Sequence, residues 1–158
     1  MKKTLLIIIS FGYLFSNGIN GVAYFEHTND AFSLSRTYLT YKKSISDELS
    51  FQFQTDVGQI GDDDRLTAYL KKAQLDWKIK DGLKISMGMI GLNMFNVQEK
   101  TWGHRFVEKS ALDLAGWSSS TDLGFGVSKK ITDNLFSSFL MTSGEGYKES
   151  DNDNYEKL

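Results

Sequence analysis

Along most of the chain, apolar and polar residues alternate with a period of two. In 49–58, Phe51, Phe53, Thr55 and Val57 fall on one side, and Ser50, Gln52, Gln54 and Asp56 on the other. A helix would scatter both sets around its circumference. A strand, whose successive side chains point to opposite faces, separates them. The same pattern sets Ala73, Leu75, Trp77 and Ile79 against Gln74, Asp76 and Lys78, then Leu83, Ile85, Met87 and Met89 against Lys84, Ser86 and Gly88. Asp81-Gly82, between these two runs, is a hairpin turn signal. In 35–43, Thr37, Leu39 and Tyr41 oppose Arg36, Tyr38 and Thr40, and in 122–129 Leu123, Phe125 and Val127 mark one face. With a further run at 135–142 and a weaker one at 22–27, the pattern predicts an all-β chain of about seven antiparallel strands.

Alternation alone suits either a soluble β-sandwich or an up-and-down transmembrane β-barrel. Loop lengths separate the two. Counting from the strand at 22–27, the connections after the second, fourth and sixth strands are short: 44–48, 80–82 and 130–134. Those after the third, fifth and seventh are longer: 58–64, 93–121 and the tail from Gly144. Only the first connection, at 28–31, breaks the contrast. Membrane barrels carry short turns on one rim and long loops on the other, whereas a sandwich has no reason to sort its loops this way. The runs at 65–79 and 31–43 also exceed the usual five or six residues of soluble strands. The barrel is therefore the favoured expectation. In it, Lys71 is the one residue that disturbs the apolar outward face, at a place where it would snorkel to a rim.

The N-terminus adds a destination. Lys2 and Lys3 precede a nearly continuous apolar run at 5–15 and a small-residue step at Ser16-Asn17-Gly18. This is the layout of a secretory signal peptide, predicted to occupy 1–18. The run is too short to serve as a mature membrane-spanning helix, which needs about 20 residues. Removing 1–18 leaves 16 basic residues against 20 acidic, a net charge of −4. That balance argues against a nucleic-acid partner, which would require a basic face. Cysteine and proline are both absent. Stability therefore comes from packing and strand pairing without covalent staples, and the missing proline suits long uninterrupted ladders.

Several segments resemble the phosphate-selective porin O/P-type outer-membrane proteins. They are Phe32-Ser-Leu-Ser-Arg-Thr-Tyr-Leu-Thr-Tyr-Lys-Lys43, Ser46-Asp-Glu-Leu-Ser-Phe51, Asp56-Val-Gly58, Ala73-Gln-Leu-Asp-Trp-Lys78, Trp102-Gly-His-Arg-Phe-Val-Glu-Lys-Ser110 and Gly144-Glu-Gly-Tyr147. Each alone is unspecific; their order across 22–147 carries the likeness. The resemblance implies a trimeric or monomeric barrel of about sixteen or more strands in the outer membrane of a Gram-negative-type bacterium. It also implies a third outer loop folded into the lumen, and 93–121 is the third outer loop by the strand count. Such a protein passes small hydrophilic solutes, phosphate or other anions among them, by passive diffusion, and its partners are outer-membrane lipid and those solutes. Seven strands do not close a bacterial barrel, so 19–158 is expected to be the N-terminal part of a longer porin.

Strand parity nominates Arg36, Tyr38, Gln52, Gln54, Asp56, Lys72, Gln74, Asp76 and Lys84 as lumen residues. The long loop adds Glu99, Lys100, His104, Arg105, Glu108 and Lys109 as constriction candidates. Arg36, Arg105 and Lys109 are the first choices for steering an anion, because cations at a low-dielectric neck concentrate anions. The bland alternative is that these residues are solvated or ion-paired wall. Asp56, Asp76, Glu99 and Glu108 offset the cations, so phosphate selectivity has thinner support. Asp62-Asp63-Asp64 lacks the spacing of a calcium loop, and His27 and His104 lie too far apart to suggest zinc. Ser118-Ser119-Ser120 has no nucleophile elbow around it, and Gly144-Glu-Gly146 is too short for a phosphate loop. Trp77 is placed for a membrane-interface belt, while Trp102 and Trp117 fall in the long loop. No catalytic constellation, metal set or cofactor motif emerges. The rival expectations are a secreted β-sandwich or lipocalin-like binder with the apolar face buried, and a non-conducting surface adhesin barrel.

Overall fold

A computed structural model describes residues 5–9, 18–28, 31–58, 65–105, 107–149 and 155–157. The chain forms one antiparallel sheet in which sequence neighbours are spatial neighbours. Its strands are β1 (Leu5–Ile9), β2 (Ile19–Thr28), β3 (Ala31–Ser44), β4 (Leu49–Gly58), β5 (Thr67–Lys78), β6 (Leu83–Gly91), β7 (Thr121–Lys130) and β8 (Phe136–Thr142). Seven of these coincide with the strands read from alternation. The eighth, β1, lies within the segment read as an export signal and pairs with β2 from Leu5↔His27 to Ile9↔Ala23. The sheet is open, with β1 and β8 at its two edges. At one end of β8, Thr142 exchanges backbone hydrogen bonds of 2.9 and 2.7 Å with Lys157.

Three short connections gather on one rim. Ser46 Oγ accepts from the amides of Glu48 and Leu49 and closes the β3–β4 turn. Asp81 and Gly82, both at positive φ (62° and 72°), form the tight β5–β6 turn that Asp-Gly forecasts. The opposite rim carries the long β6–β7 connection, which contains two helices that the strand pattern does not announce. These are α1 (Asn93–Trp102) and α2 (Ala111–Ala115), each ended by a glycine in the left-handed region, Gly103 and Gly116. The β2–β3 connection at 29–30 and the acidic run at 62–64 lie outside the described residues.

Polarity is inverted relative to a water-soluble sheet. Cross-strand register aligns Tyr41, Phe53, Ala73, Met89 and Leu123 in one row. Phe51, Leu75, Met87, Phe125 and Met141 form a second row, and Leu49, Trp77, Ile85, Val127 and Phe139 a third. These apolar rows lie on the outside: Met87 is 43 % exposed, Phe139 51 % and Leu123 54 %. The opposite face is the concave one, and it buries polar groups including Thr40, Asp56, Ser86 and Asp122. Among the described residues, the buried apolar side chains are few: Ile90, Leu92 and Phe95, the last of these on α1. Three rows of large apolar side chains facing outward are not isolated surface residues but a contiguous band.

Lys71 corrects the strand parity. The β4–β5 ladder runs Gln54↔Lys72 and then Thr55↔Leu70, so Lys71 is the extra residue of a β-bulge. A bulge places two residues opposite one and re-aims a side chain. Lys71 and Lys72 therefore both face the concave side, where they line one cavity, and the outward face of β5 is left without a charge. The charged residues that outward parity retains in β3–β8 are Lys43 and Lys129, near the short-turn rim. A second bulge falls between Tyr24↔Arg36 and Phe25↔Leu34.

Curling brings backbones close at the inner glycines of β6 and β7. A Cβ on Gly124 would strike the carbonyl oxygen of Met141 and stand 2.7 Å from the Cα of Thr142. Bulges and strand glycines are the usual means of bending a sheet toward closure. Gly124→Val is expected to cost about 1–3 kcal/mol through overpacking, read as a lower urea midpoint in micelles. An unchanged midpoint would mean that β7 and β8 do not approach this closely.

Candidate functional site

The β6–β7 connection lies over the concave face, and together they enclose a cavity of about 510 Å³. Arg36 and Tyr38 enter it from β3, Gln54 from β4, and Lys71 and Lys72 from β5. Glu99, Arg105, Lys109 and Asp113 reach it from the connection, and Tyr147 and Lys148 from the segment after β8. Alternation explains Arg36, Tyr38, Gln54 and Lys72, because inward positions of adjacent strands stack side by side, whereas Lys71 enters through the β5 bulge.

Asp56 is the electrostatic centre. Its side chain is 0 % exposed, with Arg36 Nε at 3.7 Å and Lys71 Nζ at 3.9 Å from one carboxylate oxygen. Tyr38 Oη accepts from Arg36 (2.7 Å) and from Lys71 (3.0 Å), tying both cations to the wall. Lys71 Nζ also lies 4.5 Å from the Tyr38 ring centroid and 5.0 Å from that of Tyr147, positions where the ring quadrupole favours a cation. Tyr147 donates to Asp56 at 3.3 Å from 91 residues away. Burial pushes the Tyr147 phenol well above the ordinary tyrosine range, so it stays a proton donor at neutral pH. Burial likewise lowers the Lys148 ammonium from its usual value.

A second polar group lies toward the short-turn rim. Asp76 accepts from Gln74 (2.8 Å) and Ser86 (2.5 Å) and pairs with Lys84 at 3.4 Å. Gln52 stands between Lys42 and Gln74 in the same inward row. In the β6–β7 connection, Arg105 bridges Glu99 (3.8 Å) and Asp113 (3.4 Å), and Gln98 accepts from the Leu112 amide at 3.2 Å. These bonds fasten α1 to α2.

Thus Arg36, Tyr38, Gln54, Lys72, Glu99, Arg105 and Lys109 meet at one cavity, and Asp56 lies beneath it. Gln52, Gln74, Asp76 and Lys84 share the wall but sit lower. Three loop candidates point elsewhere. Lys100 borders a separate apolar groove between α1 and β8, His104 packs edge-on against Trp102 at 5.5 Å, and the exposed Glu108 accepts from the Lys109 amide. Among the described residues, no three His, Cys, Asp or Glu side chains converge where a metal could sit.

The sequence reading did not nominate Lys71, Tyr69, Asp122, Asp113 or Tyr147. The bulge hid the first. Asp122 stands at the start of a recognised strand, and its carboxylate accepts from four donors, Leu123 N, Ser143 Oγ, Gly144 N and Gly146 N, at 2.9–3.2 Å. The Gly-x-Gly step at 144–146 was the available signal for that turn.

Comparison of the chain with protein-family models, with curated proteins and with solved structures returned no match.

Proposed function

We propose that this chain is part of an outer-membrane porin, with its apolar rows against lipid and its concave face lining a water-filled passage for small hydrophilic solutes. The observation that carries this reading is the inversion of polarity. Side chains that would fill the core of a soluble sandwich face outward, and charged residues of β3–β8 face inward except near one rim. From Leu49 to Val57 the outward face of β4 extends about 27 Å at 3.4 Å per residue; tilted by about 40°, it rises about 20 Å and spans most of a barrel's apolar band of about 25 Å. Lys43 and Lys129 sit where lysines reach the headgroups, and Trp77, 45 % exposed beside the β5–β6 turn, suits an interface belt. No helix among the described residues is long and apolar enough to cross a membrane; strands would do the crossing.

The reading assigns no chemistry. Solutes pass by diffusion, and selectivity comes from width and charge. Cations and carboxylates interleave around the cavity, which supports a mild preference for anions and not a dedicated phosphate ladder. Outer-membrane lipid, small solutes and further copies in a trimer are the partners that follow. The polar cavity beneath α1 favours a passage over a plugged adhesin barrel.

The test is folding of the full chain in buffer, in micelles and in phospholipid vesicles, followed by solute flux into the vesicles. The expected result is sheet structure that requires micelles or lipid, with flux once a closed barrel forms. A stable monomeric sheet in plain buffer would overturn the membrane reading. Insertion of a closed barrel without flux would favour the adhesin.

A further inference from the structure

The segment after β8 does more than leave the sheet. Asp122 grips its first half through Ser143, Gly144 and Gly146, as described above. Gly144 and Gly146 both take positive φ (107° and 82°). A Cβ on Gly146 would also stand 2.5 Å from Ser119 Cβ and Oγ, so the turn lies flush on the end of the β6–β7 connection. Its second half then crosses the concave face. The Tyr147 ring packs on Tyr69 of β5 at 5.6 Å, its hydroxyl reaches Asp56 of β4, and Lys148 Nζ lies 5.5 Å from the Tyr69 ring. One short segment is therefore pinned at two separate places on the wall, one on β7 and one on β4–β5.

We propose that residues 143–149 form a strap across the concave face, holding β7 and β4–β5 at a fixed spacing and bounding the cavity together with the β6–β7 connection. Docking of the strap stands on the geometry alone. Its consequence for permeation, that the narrowest opening is set jointly by the strap and the β6–β7 connection, rests on the porin reading.

Hydrogen exchange on the full chain in micelles tests the docking without reference to transport. The amides of Gly144 and Gly146, bonded to a buried carboxylate, should exchange at least ten-fold more slowly than in an unstructured peptide. Tyr147→Ala removes the far anchor, and Gly146→Ala forces a Cβ into Ser119. Each should accelerate exchange across 143–149 several-fold while peptides from 121–142 keep their protection. Peptide-like exchange of 143–149 in the unaltered chain would overturn the proposal, as would an unchanged rate in both variants. Loss of protection through 121–142 in both would also overturn it, because the segment would then be part of the sheet's own folding unit. With docking established, wider solute passage in the Tyr147→Ala barrel supports the permeation role. Unchanged passage in a conducting barrel rejects that role, and absence of conduction in the unaltered barrel rejects the porin reading while leaving the strap in place.

Discussion

On the proposed porin reading, Phe53→Arg is expected to destabilise the protein in lipid by about 2–4 kcal/mol, the cost of an arginine on a lipid face near the bilayer midplane. Phe53 is mid-strand in β4, 38 % exposed, in the row with Tyr41, Ala73, Met89 and Leu123. Tyr41, paired with Phe53, offers the one acceptor on that row, a single phenol oxygen for a guanidinium's five donors, and the rim is too far for the new side chain to reach water without thinning the bilayer. The neighbouring change, Gln54→Arg, should cost about 1 kcal/mol or less. Gln54 faces the cavity and gives up only a 2.8 Å hydrogen bond to Thr40. Denaturant titration of both variants in vesicles measures the difference. Two adjacent residues with equal costs would mean that neither face meets lipid, and the inverted polarity would need another explanation, such as a protein partner covering the band.

The strands were legible because a period of two runs through most of β3, β4, β5, β6 and β7, even where individual residues are indifferent strand formers. What alternation misses is anything that interrupts it by one residue. Lys71 read as a flaw in the apolar face until the ladder placed it in a bulge, and the bulge turns that flaw into an inward cation. Helix α1 was equally silent. Asn93–Trp102 buries only Phe95, and an element with one buried residue leaves almost no periodic trace. The candidate site was half readable. Arg36, Tyr38, Gln54 and Lys72 follow from parity, a property of each strand by itself. The contact of Tyr147 with Asp56 follows from curvature, which depends on bulges and glycines spread over the whole sheet. For the same reason Arg36 and Arg105, natural choices for steering an anion, proved to be held by Asp56 and by Glu99 and Asp113. Residue type and face are local facts, whereas ion pairing across the cavity is a global one.

Asp56→Ala is expected to be the most damaging single change on the concave face. The carboxylate is fully buried between Arg36 and Lys71, whose side chains are 16 % and 12 % exposed. Removing it leaves two cations close together with no counter-charge, a situation that typically costs about 3–5 kcal/mol. The cavity above can admit water to both ammonium and guanidinium, so the lower end of that range is expected. If compensation is the reason, deleting one cation should recover part of the loss. Asp56→Ala with Lys71→Leu should be more stable than Asp56→Ala alone, although Lys71→Leu by itself costs the Tyr38 contact and one ion pair. The double-mutant cycle should show a coupling of about 1–3 kcal/mol. Additive costs would mean that Asp56 acts through packing or through Tyr147 and not as a shared counter-ion. Strap exchange would then separate those two roles, since loss of the Tyr147 hydrogen bond frees 143–149 whereas loss of packing does not.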